Sequence, residues 1–203
     1  MNQQTRPIHF SMIRTFHLAD VFTIANAFCG VSAIFEAMTF LSTHDKRHLY
    51  LAGLLIPLAL VFDVLDGRIA RWRHEASPMG RELDSLADVV SFGVAPAAIA
   101  VAAGMNTWLD QAILLFFAGC GVSRLARYNV TAERLSGRKG KVDHFEGTPI
   151  PTSIVPLGVL MLAFYLDNLY RVNLLGVEWH MTTLLFFASG SLMISKTLRI
   201  PKP

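Results

Sequence analysis

Four aspartates, Asp63, Asp66, Asp84 and Asp88, fall in or beside stretches otherwise apolar enough to be membrane. No fold of this chain is acceptable that leaves them without a counter-charge. Insertion scales put one aspartate at the centre of a spanning helix at about 2.5–3.5 kcal/mol, and somewhat less near the interface. The surrounding composition confirms the setting. Of 203 residues, 53% are hydrophobic and only 16% charged, too apolar for an ordinary soluble domain.

The apolar residues gather into six stretches, about 19 to 41, 48 to 72, 86 to 104, 109 to 128, 150 to 167 and 180 to 196, each near the length an α-helix needs to cross ~30 Å of hydrocarbon. The pattern predicts an all-α, polytopic membrane protein with six transmembrane helices. Its domain organisation is simple. Residues 1–18, with Arg6, His9, Arg14 and His17 among Phe10, Ile13 and Phe16, lack the uninterrupted apolar run of a signal peptide and suit an N-terminal interfacial amphipathic helix. Residues 19–196 form the membrane domain, and residues 197–203 a short basic tail. Cys29 and Cys120 have no paired spacing and suggest neither a disulfide framework nor a zinc site.

All but three of the 18 lysines and arginines, the exceptions being Lys46, Arg47 and Arg171, fall on one side of this layout. The positive-inside rule then places both termini and the aspartate cluster on the cytoplasmic side of the cell (plasma or inner) membrane. A net charge of +3 expresses that asymmetry, together with attraction to anionic lipid headgroups, rather than nucleic-acid binding. The polar segment from Thr131 to Pro149 is the longest cytoplasmic connection, suited to be a lid or an acceptor-binding loop.

The second stretch is diagnostic. Its purely apolar run, Leu49 to Phe62, is too short to span, so the helix must continue through Asp63 and Asp66 toward Trp72. Asp63 and Asp66 are three residues apart, Asp84 and Asp88 four apart, so each pair projects from one helical face. Ser77, Pro78 and Gly80 between them suit a helix start after a stop, giving a helical hairpin whose arms present two carboxylate pairs to each other. All-oxygen ligands point to Mg²⁺ or Mn²⁺ rather than zinc, and two ions about 4 Å apart can clamp a phosphoryl group in such a cluster. Gly67 and Ala70 follow Asp63 on roughly the same face, an arrangement that serves either helix packing or close approach of a bulky ligand. Arg71 stands at the cytoplasmic end as a membrane anchor or a phosphate grip. Together these residues describe a pyrophosphate site at the membrane surface. Ion pathways are lined by intramembrane aspartates as well, so a divalent-cation channel or transporter is the reading from another class. Against it, the carboxylates cluster at one face, and the acids toward the opposite ends, Asp45 and Asp110, are expected at exposed positions.

The string Asp63-x2-Asp66-Gly67-x2-Ala70-Arg71-x8-Gly80-x3-Asp84-x3-Asp88 resembles the signature of the CDP-alcohol phosphotransferase family at every defined position. The resemblance implies that Asp63, Asp66, Asp84 and Asp88 bind two divalent ions and that Asp66, Gly67, Ala70, Arg71 and Gly80 contact the CDP moiety. It also implies that Asp88 serves as general base and that the protein is a homodimer. Residues 22–30, 124–130 and 145–151 are further similar to the branch whose members join CDP-diacylglycerol to L-serine, releasing CMP. The same chemistry with glycerol 3-phosphate, inositol phosphate, ethanolamine or choline as acceptor is the nearest alternative. A serine carboxylate asks for a cation near Asp88, and Arg124, Arg127 and Lys141 are the candidates. Thr23 and Asn26, one turn apart, suit hydrogen bonding either to the nucleotide or across a helix interface. A general-base Asp88 favours direct attack over a covalent phosphatidyl-enzyme.

Overall fold

In the computed structural model, residues 17–73, 77–136, 144–174, 177–195 and 199–201 are described. The chain opens with a helical hairpin, α1 (Leu18–Thr43) and α2 (Lys46–Arg73). Between them His44 adopts a left-handed conformation with φ 56°, and the Asp45 carboxylate accepts the Arg47 N–H at 3.0 Å. The hairpin closes tightly because Ala33, Ala37, Ala52 and Ala59 are all buried and let the two backbones approach. Pro57 inside α2 is of a kind that spanning helices tolerate.

The third helical stretch is composite. Ser77 caps α3 (Pro78–Asp88) by accepting the Gly80 N–H at 2.8 Å, with Pro78 at the first position. A π-helical turn, Val89–Val94, follows and passes into α4 (Ala95–Ala102). Then come α5 (Trp108–Ser136), the short strand β1 (His144–Glu146), a 3₁₀ turn (Ile150–Ser153) leading into α6 (Ile154–Tyr165), the hairpin β2 (Arg171–Leu174) and β3 (Val177–His180), α7 (Thr183–Ile194) and β4 (Arg199–Pro201). The strand β1 pairs antiparallel with β4, and β2 with β3.

Phe92, Ile99, Phe117, Leu160 and Phe186 form the interior, with Phe117 meeting Phe186 edge-to-face at 5.3 Å. The outer surface is equally apolar: Phe28, Phe35, Leu54, Leu115 and Leu162 are all exposed. Helices apolar on every side belong in lipid. Trp108, Tyr165 and Tyr170 lie exposed at the end remote from the aspartates, and Trp72 at the near end, as interfacial aromatic belts do.

Four helical stretches are long and apolar enough to cross a membrane: Leu18–Thr43, Lys46–Arg73, Met79–Ala102 and Trp108–Val130. An all-α membrane protein is thus the architecture, but the expected fifth and sixth spans are the shorter helices Ile150–Tyr165 and Thr183–Ile194. Part of the expected sixth span, residues 180 to 182, is taken up by the β2–β3 hairpin and its exit. The loop expected from Thr131 begins later, because α5 continues to Ser136. Within the expected basic tail, Arg199–Pro201 pair as β4 with β1. The proposed N-terminal interfacial helix lies, apart from residues 17 and 18, outside the described residues. Asp110, expected at an exposed position, is fully buried.

Candidate active site

The last turns of α2 and the first turns of α3 converge as their spacing requires. Carboxylate oxygens of Asp63, Asp66 and Asp84 lie within 4.8 Å of one another. Asp66 is 5% exposed and accepts the Thr23 hydroxyl at 2.7 Å. Asp84 has one buried carboxylate oxygen with no protein partner. Asp88, 7% exposed, is not in that mutual group and accepts the Asn26 amide at 3.2 Å.

These donors fit a divalent metal. The set is all oxygen, three ligands converge, and a buried lone pair on Asp84 awaits a partner, which is what a hard cation such as Mg²⁺ or Mn²⁺ takes. Without one, each carboxylate repels its neighbours in a poorly solvated site.

Gly67 faces open space except for the Arg71 guanidinium, whose nitrogens would lie 3.7 and 3.9 Å from an added Cβ. Among the described residues no helix comes within 4 Å of an added Gly67 Cβ, which leaves room for a ligand there. Ala70 beside it is half-buried. Gly80 has a different environment: an added Cβ would stand 2.9 Å from Asp20 Oδ1 and 3.0 Å from Ser77 Oγ. Asp20 thus sits against the first turn of α3, where a helix dipole favours negative charge. Its other oxygen accepts the His17 N–H and caps α1.

A cavity of about 250 Å³ opens beside Asp63, Asp84 and Asp88 and is walled by Arg81, Ser85, Arg124, Leu125, Tyr128, Pro149 and Pro151. Arg124 reaches it with a buried Nε that has no protein partner. Arg127 is not part of that wall; its Nη2 lies 3.5 Å from the Ile194 carbonyl at the end of α7. Lys141 lies outside the described residues. Thr23 and Asn26 both donate to the aspartates, which makes them partners across helix interfaces.

Reading the sequence missed Asp20, Ser85 and Ser91. Ser85 lines the cavity and exchanges hydrogen bonds with Asn129 at 3.0–3.2 Å, while Asn129 also donates to Glu82 at 3.1 Å. Its position one turn before Asp88 was the available signal. The segment 147–151 reaches the site through Gly147, whose φ is +75°. An added Cβ there would overlap the Met193 carbonyl, and the Thr148 N–H bonds the Leu192 carbonyl at 3.2 Å.

Buried carboxylates that suit a divalent ion, an arginine over an open glycine and a headgroup-sized cavity form the site of an enzyme acting on a phosphate ester at the membrane surface. The chain belongs to the CDP-alcohol phosphatidyltransferase family, whose model matches residues 16–189. It is 46% identical to the CDP-diacylglycerol–serine O-phosphatidyltransferase of Saccharomyces cerevisiae, over 96% of this chain and 74% of that protein. It is 35% identical to the protein of the same name from Helicobacter pylori, over 75% of this chain and 59% of the relative. With that of Bacillus subtilis it shares 32% identity, over 84% and 89% of the two chains.

Proposed function

We propose that this protein is a phosphatidylserine synthase, transferring the phosphatidyl group of CDP-diacylglycerol to the hydroxyl of L-serine and releasing CMP. The observation that carries the reading is the cavity in which Asp88 and Arg124 stand together beside the three-carboxylate cluster. The relatives' names support serine as the acceptor.

In this reading Asp63, Asp66 and Asp84 hold the divalent metal, Mg²⁺ or Mn²⁺ and two ions when fully loaded, with Asp88 as a further ligand. The metal supplies charge neutralisation on the pyrophosphate and the departing CMP. Arg71, over Gly67, grips phosphate oxygens, with Ala70 and Gly80 bordering the nucleotide and Thr23 and Asn26 behind them. Arg124, in the cavity wall, pairs with the serine carboxylate, and Arg127 and Lys141 are the other candidate cations for it. Asp88 accepts the hydroxyl proton as the serine oxygen attacks the β-phosphorus. The bond from that phosphorus to the bridging oxygen breaks, and the oxygen leaves with CMP. Attack is direct, with no phosphatidyl-enzyme. Exposed Trp72, Met79 and Leu86 near the site offer apolar surface for the acyl chains.

All six apolar helices sit in the cell membrane, the two short ones spanning by virtue of their flanking segments. The termini and the site face the cytoplasm, and the protein works as a homodimer. The test is CMP release by purified protein with L-serine, glycerol 3-phosphate, inositol phosphate, ethanolamine or choline, each with Mg²⁺, Mn²⁺ or chelator. Metal-dependent release with serine is the expected outcome. Release with another acceptor alone contradicts the serine assignment, and divalent-cation flux without release with any acceptor contradicts the enzyme.

A further inference from the structure

We propose that Ser91 and Asn26 are positioning residues for Asp88, brought to it by the π-helical turn Val89–Val94 seated against Gly30. The proposal rests on the reading of Asp88 as the proton acceptor. In the turn that follows Asp88 the Ala95 N–H reaches back to the Val90 carbonyl, one residue further than α-helical spacing, and single π turns of this kind gather at functional sites. The widened backbone bulges onto α1. An added Cβ on Gly30 would stand 2.7 Å from Ser91 Cα, 3.0 Å from its N and 2.5 Å from its Oγ, so only glycine admits the turn at that position. Ser91 is fully buried, and its hydroxyl donates to the Asn26 main-chain carbonyl at 2.9 Å. The Asn26 side chain, also fully buried, donates in turn to Asp88 Oδ1 at 3.2 Å.

These bonds define one unit. The turn places Ser91 on α1, Ser91 fixes the height of Asn26, and Asn26 holds one oxygen of Asp88. That leaves Asp88 outside the group formed by Asp63, Asp66 and Asp84 and beside the cavity. Three carboxylates converge for a cation, and Asn26 fixes the fourth at the edge of that group, beside the cavity. Misplacement of a reacting group by about 1 Å can cost on the order of 100-fold in rate, so a positioning bond should act on turnover rather than on substrate affinity.

The experiment measures CMP release by the full-length purified protein. Ser91→Ala should lower kcat about ten- to a hundredfold. KM for CDP-diacylglycerol and for L-serine should stay within about twofold. Asn26→Ala leaves the Ser91 bond intact, because that bond uses the main chain, and should reproduce the kcat loss. In an Asp88→Glu background, where the carboxylate has left its seat, Ser91→Ala should cost nothing further; this non-additivity is what a merely structural role would not give. Wild-type kcat in both Ser91→Ala and Asn26→Ala, a loss carried by KM, or an equal loss in the Asp88→Glu background would each overturn the proposal. Wild-type turnover in Asp88→Asn would instead overturn the reading of Asp88 beneath it.

Discussion

Asp66 and Asp84 are the residues whose environments leave least choice of role. Each sits among other carboxylates, and Asp84 has a buried oxygen without a protein partner. Replacing either by asparagine keeps the volume and removes the charge. Metal-dependent CMP release should fall by about 100-fold or more, and calorimetric titration with Mn²⁺ should lose most of its heat. Gly147 answers a different demand, with φ at +75° and the Met193 carbonyl where a Cβ would go. Gly147→Ala should destabilise the protein by about 1–3 kcal/mol, read as a lower unfolding temperature in detergent. The aspartates were legible in the sequence because four charges in apolar stretches demand an explanation. Asp20 and Ser91 were not, because short polar residues scattered along helices carry no spacing that separates a site from an ordinary interhelical bond; for Ser85 only its place one turn before Asp88 gave a signal.

Among the elements, α5 has a polar partner at each end. Some 14 residues before Arg124, about 21 Å along the helix, Asp110 is fully buried. It accepts the His180 N–H at 3.0 Å, His180 Nδ1 at 2.7 Å, and the hydroxyls of Thr183 and Thr107 at 2.6 and 2.8 Å. This knot ties the β2–β3 hairpin and the start of α7 to α5. Asp110→Ala should cost about 3–5 kcal/mol, seen as loss of thermal stability with KM values unchanged in the protein that remains folded. Sequence alone placed Asp110 on the surface because its partners His180 and Thr183 come from a segment some 70 residues later. The π turn was illegible for another reason: an apolar run such as Val89–Val94 reads alike whether it winds with α or π spacing. Hydrophobic run length located α1 and α2 within a few residues, yet it overstated the start of the last helix, where His180 ends strand β3 and residues 181 and 182 form a turn.

At the scale of the whole molecule, charge asymmetry and the aromatic residues at both ends give the protein an axis across the membrane. Cys29 and Cys120 are both buried, so the wild-type chain should resist a membrane-impermeant maleimide. Arg73→Cys and Asp45→Cys stand at opposite ends of α2 and its entry turn. The first should label only from the cytoplasmic face of membrane vesicles and the second only from the other; the reverse pattern would invert the topology. The most direct measurement is formation of labelled phosphatidylserine from CDP-diacylglycerol and isotopic L-serine by the purified protein, compared with its Asp84→Asn variant and with chelator present. The expected result is lipid product from the wild-type protein with Mg²⁺ or Mn²⁺ and almost none in the other two conditions. Product that survives both chelation and Asp84→Asn, or no product under any condition, would contradict the assignment of this carboxylate cluster as the centre of a metal-dependent phosphatidyl transfer to serine.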